Sequence, residues 1–210
     1  MQGRLTRKGR ATRARIVAAA AELMFERGVA GTSTEDVRVS AGVSSSQLYH
    51  YFDSKQALVR AVIAYQTEAV LSAQQPLLGR LDSLDALRAW LVLIDDLHTP
   101  NSCGGGGPRG SLAAELAEID SGARADLAAG FSQWEAAIRD GLAMMRGRGA
   151  LRPDADPDRL ALATLAALQG GLLLTQVRRD PIPTVTALDA ALDHIGSFVP
   201  EPSLPGVGER

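Results

Sequence analysis

Cysteine occurs once in these 210 residues, at Cys103, and histidine three times, at His50, His98 and His194. A single cysteine excludes an intrachain disulfide and any Cys-x-x-Cys pair. A reducing, cytoplasmic setting is therefore expected, with Cys103 a passive thiol rather than a redox sensor. The histidines are too scattered for a metal motif. The nearest approach to a ligand cluster, Asp95-Asp96-Leu97-His98, puts consecutive residues on different faces of a helix. No Gly-x-Ser-x-Gly elbow or paired-carboxylate pattern occurs, so neither enzymatic function nor a metal or other cofactor is expected. Long apolar runs are equally scarce. Residues 160–177 form the most membrane-like stretch, yet Thr164, Gln169, Thr175 and Gln176 interrupt it. It stands alone, which favours a buried helix of a soluble protein over a membrane span. Near the N-terminus, arginines precede Ile16, but Glu22, Glu26 and Arg27 break the apolar run that follows, so no signal peptide is read there.

Charge is short overall, with a net value of −2, and that alone would argue against a nucleic-acid partner. Its distribution reverses the reading. Residues 1–15 hold Arg4, Arg7, Lys8, Arg10, Arg13 and Arg15 and no acid. The first 60 residues carry ten basic and five acidic side chains, net +5, and the remainder is −7. A basic head on an acidic body suits DNA contact confined to one end.

Within that head, residues 42–55 read Gly-Val-Ser-Ser-Ser-Gln-Leu-Tyr-His-Tyr-Phe-Asp-Ser-Lys. Gly42 supplies the left-handed backbone of a sharp helix-to-helix turn. Val43 and Leu48 are apolar pins for the second helix, which leaves Ser45, Ser46, Gln47, Tyr49 and Tyr51 on its outer face. The pattern is a helix-turn-helix with an exposed recognition helix, and double-stranded DNA is the expected partner.

Segments that alternate with period two are nearly missing and helical spacing recurs throughout, so an all-α fold is expected. Residues 1–10 read as a flexible basic arm, followed by a first helix from about Thr12 to Arg27, stopped by Gly28. Thr32 with Glu35, or equally Ser33 with Asp36, is spaced as a capping box for a second helix beginning near Thr34. A third helix spans 44–52, and Asp53-Ser54 caps a fourth. Beyond residue 72 the chain becomes Leu/Ala-rich with few aromatics, and helices are expected at 82–98, 111–119, 122–147, 156–179 and 184–198. The glycine loop at 101–110 has no strand before it and no Gly-Lys-Ser/Thr after it, so it is not a phosphate-binding P-loop. The expected organisation is a DNA-binding domain at 10–70, a regulatory and dimerisation domain at 71–198 and a disordered tail at 199–210.

The chain resembles TetR-family transcriptional regulators. The match is carried by Phe25-Glu26-Arg27-Gly28, Gly31-Thr32-Ser33, Val37, Ala41-Gly42-Val43-Ser44, Leu48-Tyr49-His50-Tyr51-Phe52, Ser54-Lys55 and Leu58. Gly110-Ser111-Leu112-Ala113-Ala114-Glu115-Leu116 and Gln169-Gly170-Gly171 are similar to regulatory domains of the LmrA/YxaF-like branch of that family. Arg38 departs from the pattern, since a small residue is usual there. It lies either along the surface towards a phosphate or in a slightly altered packing of the second and third helices.

The resemblance implies that the third helix enters the major groove with Ser44, Ser45, Ser46 and Gln47 nearest the bases. Gln47 has the donor and acceptor to read adenine, and the serines suit phosphates better than bases. It implies phosphate contacts from Tyr49, Tyr51 and Lys55; Tyr49 also has a reading as a core ring with an exposed hydroxyl. His50 is open between a phosphate contact and a packed ring. Ser33 and Thr34 open the second helix, where a phosphate would be attracted, and capping is compatible with that role. Arg7, Lys8 and Arg10 would add salt-sensitive affinity or enter the minor groove.

One such module reads few base pairs, so a homodimer over a pseudo-palindromic operator is implied. Ala163, Ala167, Gly170 and Gly171 on one late helix and Leu188, Leu192 and Ile195 on the next are the expected dimer surface, although Gly170-Gly171 also has a reading as a simple bend. A small, largely apolar effector is implied for the second domain, with Trp90, His98, Phe131, Trp134, Met144 and Met145 as candidate lining. The function so read is a ligand-relieved repressor. Activation is an alternative that nothing in the sequence separates from it; a ligand-independent DNA-binding protein is the other, and the large second domain argues against a purely architectural one.

Overall fold

The computed structural model describes residues 6–97 and 120–201. Among them eight α-helices follow one another with no strand: α1 Arg7–Arg27, α2 Thr34–Ala41, α3 Ser45–Tyr51, α4 Lys55–Ala73, α5 Leu84–Leu97, α6 Ser121–Gly147, α7 Pro157–Arg178 and α8 Ile182–Gly196. A short 3-10 turn, Leu77–Arg80, which the sequence pattern did not suggest, joins α4 to α5. The expected helix at 111–119, the glycine loop, His98, Cys103 and nearly all of the expected tail lie outside the described residues.

Most helix starts are set by side-chain caps. Thr6 accepts from the Gly9 amide at 3.1 Å, so α1 begins at Arg7. The expected flexible arm is therefore helical from residue 7 onward, because Thr6 satisfies an amide that would otherwise fray the first turn. Of the two boxes considered for α2, Ser33 with Asp36 is the one formed. Thr32 instead is buried and donates to the Gly28 carbonyl at 2.8 Å. Gly42 closes α2 at φ 61°, the left-handed conformation a side chain would strain. Asp156 caps α7, with Pro157 at the first helical position where its missing amide is not needed.

Two apolar cores result. The first gathers Ile16, Val17 and Ala20 of α1, Val37 of α2, Leu48 and Phe52 around α3, and Leu58, Val62 and Ile63 of α4. Ala123 and Leu127, from the start of α6, complete it. The second contains Trp90 and Ile94 of α5, Trp134, Ile138 and Leu142 of α6, Leu165, Leu168 and Leu172 of α7, and Leu188 and Ile195 of α8. Each fully buried Leu, Ile or Val contributes about 1.5–3 kcal/mol, so α6, with side chains in both cores, joins them firmly. A bidentate pair from Arg60 to Asp126, at 2.6 and 3.1 Å, ties α4 to α6 at the junction. Helix α7 is the only described helix long and apolar enough to cross a membrane, but Leu160, Ala161, Leu165, Leu168 and Leu172 bury one of its faces inside the second core.

Candidate nucleic-acid interface

Helix α3 is short, and its conformation depends on a reciprocal cap. The Gln47 amide donates to Ser44 Oγ at 3.2 Å, and the Ser44 amide donates to Gln47 Oε1 at 2.9 Å. Val43, Leu48 and Phe52 are buried beneath the helix. Ser44, Ser45, Ser46, Gln47, Tyr49 and His50 are exposed, and Tyr49, 57% accessible, is no core ring. Tyr51 is half-buried against the first core, with His50 edge-on to it at 4.9 Å. The sequence-expected contact residues of α3 thus share one end of the molecule, five of them fully on the outer face with Tyr51 at its edge.

Several expected contact residues, on α3 and beside it, already have intramolecular partners, and the Ser44 and Ser46 hydroxyls lie within hydrogen-bonding distance of each other at 3.0 Å. Gln47 has its carbonyl oxygen committed to the cap, which leaves its two N–H donors as the outward group. Ser33 is committed to Asp36, its backbone amide donating to the carboxylate at 2.9 Å and its Oγ accepting from the Asp36 amide at 3.1 Å. The Ser33 hydroxyl also donates to that carboxylate, and these bonds, hydroxyl first and amide second, hold Asp36 below the usual aspartate range. Lys55 donates to the Val29 carbonyl at 2.6 Å, which uses one of its three ammonium hydrogens. Thr34 is half-buried at the first turn of α2.

Three arginines set the frame around α3. Arg15 donates from Nε to the Ala41 carbonyl at 2.9 Å, fastening α1 to the α2–α3 turn. Arg13 lies over the Phe52 ring, 5.0 Å from its centroid, where α3 ends. Arg38 forks onto the Glu35 carboxylate and donates to the Val43 carbonyl at 3.3 Å, so it is fastened at the turn rather than extended towards a phosphate. The hydrogen bond from Arg38 lowers the Glu35 carboxyl below its ordinary range and raises the Arg38 guanidinium. Arg13 and Arg15 were visible in the sequence only as basic residues of a helix. Their roles depend on contacts with Phe52 and Ala41, far away in the chain.

Four of the five described effector-lining candidates gather in or against the second core, and the fifth, Met144, does not. Trp90 is fully buried and donates from Nε1 to Gln74 Oε1 at 2.8 Å, Trp134 and Met145 are buried in the second core, and Phe131 is partly buried against it. Met144 faces outward with half its surface accessible, since it follows the opposite side of α6 from Met145.

The expected dimer surface divides in the same way. Contrary to that expectation, Leu188 and Ile195 are 2% and 1% exposed and serve the chain's own core. Gly171 is likewise internal, as a Cβ there would meet Thr184 Cα at 2.8 Å, a distance only glycine allows between α7 and α8. Ala167 and Leu192 are half-buried. Ala163 and Gly170 do face outward, with Leu162, Leu173, Leu174 and Val177 beside them on α7 and Ile182 and Val185 on α8. Those neighbours were missed because a helix apolar all round does not reveal which stripe its own chain covers.

Residues 16–62 match the family described as bacterial regulatory proteins, tetR family, and residues 83–191 match a tetracyclin repressor-like C-terminal domain. An uncharacterised HTH-type transcriptional regulator from the lacX 3′ region of Lactococcus lactis subsp. lactis is 32% identical over 81% of this chain and 86% of its own length. The HTH-type transcriptional repressor DhaR of Mycobacterium sp. (strain GP1) is 25% identical over 81% of this chain and 85% of its own. Among solved structures, a TetR transcriptional regulator from Chloroflexus aurantiacus superposes with a TM-score of 0.78 at 28% identity, covering 92% of this chain and 98% of that one.

Proposed function

Because the chain belongs to the TetR family of bacterial regulatory proteins, and so is a DNA-binding transcriptional regulator, we propose that it acts as a cytoplasmic homodimeric repressor, released from a pseudo-palindromic operator by a small, largely apolar ligand. The observation that carries this reading is the pairing of two surfaces. One is the polar outer face of α3, pre-formed by the Ser44–Gln47 cap. The other is the uncovered apolar stripe of α7 and α8, including Leu162, Leu173, Leu174, Val177 and Ile182. Such a stripe on a regulator is best satisfied by a second copy. Two copies present two α3 helices, which is what reading two half-sites needs.

In this reading Ser45, Ser46, Tyr49 and His50 meet phosphates or base edges, and Gln47 offers its N–H₂ group outward. Ser44 orients Gln47, Tyr51 supports His50, and Lys55 presents its remaining N–H groups to the backbone. Ser33 and Thr34 mark where α2 crosses a strand. Arg7, Lys8 and Arg10 contribute from a helix rather than from a loose arm, which narrows their reach into a groove. Placement in the LmrA/YxaF-like branch rests on Gln169-Gly170-Gly171 and on residues outside the described structure. Repression is favoured over activation by the likeness to DhaR, a repressor, across the same span.

The test is selection of bound DNA from a random pool at physiological salt, followed by sequencing. An inverted repeat with half-sites about 34–36 Å apart or more is the expected product. A single half-site without symmetry would defeat the dimeric reading, and no enrichment would defeat sequence-specific repression.

A further inference from the structure

Eight polar side chains are buried among the described residues, and six of them are satisfied. Thr12, Thr32 and Thr164 donate to carbonyls of their own chain four residues earlier. Thr175 and Thr184 pair with each other, and Gln74 bonds both Trp90 and the Val70 carbonyl. The exceptions are neighbours on α4. Gln66 Oε1 and Thr67 Oγ1, in side chains only 6% and 8% exposed, have no hydrogen-bond partner.

Their position makes the exception informative. Ile63, Gln66, Thr67 and Val70 follow the three-and-four spacing of one helical stripe. Ile63 belongs to the first core, while Val70 and Leu71 pack against the second. The two polar residues therefore interrupt an otherwise apolar stripe at the seam between the cores. Two helices pack on α4: α1, and α6, whose Leu127 belongs to the first core and Trp134 to the second, with the buried Gly130 between them. A helix that merely filled this seam would be favoured by apolar side chains, since a buried polar atom without a partner is destabilising. Thr67 is not even bonded to its own helix, as Thr164 is.

We infer that Gln66 and Thr67 are the polar anchor of a ligand site at the seam between the two cores, and that the site takes a compact, neutral, mainly apolar molecule bearing one hydrogen-bond donor. The inference rests on the effector reading above and gives it a chemical class. Gln66 Oε1 can only accept, so the ligand must donate; the Thr67 hydroxyl turns to donate or accept. No buried side chain among the described residues carries a charge, so an ionised ligand would enter without a counter-ion. A molecule held there touches the helix that carries the DNA-binding core and the helix that enters both cores. It is placed to favour one arrangement of the two over the other, as any effector must.

The experiment uses the full chain and three matched probes: 4-ethylphenol with a donor, ethylbenzene with none, and 4-ethylbenzoate with a charge. Without probe, Thr67→Val and Gln66→Met should each raise the thermal midpoint, by about 2–4 °C, with binding to the selected operator retained. A lowered midpoint would show the two groups to be structural and overturn the assignment. With probe, the wild-type protein should bind 4-ethylphenol about tenfold more tightly than ethylbenzene and ignore the benzoate, and both variants should lose that preference. Equal binding of phenol and hydrocarbon to wild type, a preference kept by the variants, or no shift with any probe overturns the assignment. Operator release is scored separately: a probe that binds through Gln66 and Thr67 but leaves DNA bound sinks the effector reading and spares the site.

Discussion

Ser44 and Gln47 hold each other's backbone amides, at 2.9 and 3.2 Å, across the first turn of α3. The residue best suited to read a base is thus also the one that starts the recognition helix. A bidentate reading of adenine needs both the oxygen and the nitrogen of the Gln47 amide, and the oxygen is engaged in the cap. Sequence reading and helix stability therefore compete for one side chain.

That competition sets the first prediction. Gln47→Ala relaxes preference at one base pair per half-site by about 1 kcal/mol, the worth of a single hydrogen bond, while Ser44→Ala, which keeps the backbone amide that holds Gln47 Oε1, lowers stability by about 1 kcal/mol and leaves the preferred sequence intact. Repeating the DNA selection with both variants checks this. An unchanged consensus with Gln47→Ala would remove Gln47 from readout.

Lys55 offers a second test, because its ammonium is shared between the Val29 carbonyl and solvent. Lys55→Ala is expected to weaken binding to all DNA sequences equally and to make the salt dependence shallower by about one unit of slope. Dissociation constants measured from low to moderate salt decide it. If the slope holds while the thermal midpoint falls, Lys55 is a structural tie and no phosphate ligand.

The two faces of the α7–α8 pair should respond oppositely to substitution. Leu174→Glu, on the uncovered face, is expected to yield folded monomers that bind a half-site weakly. Leu188→Ala, within the chain's own core, is expected to lower stability by about 2–5 kcal/mol with no direct effect on association. Light scattering and denaturant titration separate the two. A dimeric Leu174→Glu protein would place the partner elsewhere.

Acid should affect the helix-turn-helix through Asp36. Its carboxyl is held below its ordinary value of 3.8 by the bonds from Ser33. A lowered folded-state value means that the ionised cap stabilises fully above the unfolded value and loses that contribution as pH falls through the folded one. Glu35, lowered from 4.5 by Arg38, adds in the same direction. Thermal midpoints should be flat from neutral pH to about 5 and decline below 4, and Asp36→Asn should shrink that decline. An identical acid limb in the variant would assign it to other carboxylates.

Local signals made most of the fold legible. Gly42 at the turn, the Ser33–Asp36 spacing and the Ser54 cap each act within four residues, so they appear in sequence as they do in space. Helix α1 began earlier than its apolar pattern because the Thr6 cap, a single polar contact, lies outside the periodic region. Tyr49 and Leu48 were assigned to opposite faces from spacing alone. The intramolecular ties of Lys55 and Arg15 were not, because Val29 and Ala41 offer only backbone carbonyls, which sequence does not distinguish from any other.

By itself, then, the sequence determined the all-helical class, the helix-turn-helix and the basic N-terminal end, since periodicity, caps and charge are properties of short segments. Only the tertiary structure decided which side of α7 and α8 stays uncovered, that α6 enters both cores, and that Gln66 and Thr67 lie buried without partners between them. Burial is settled by what packs opposite a residue, and for each of these the opposing element lies elsewhere in the chain, at a distance no local pattern spans.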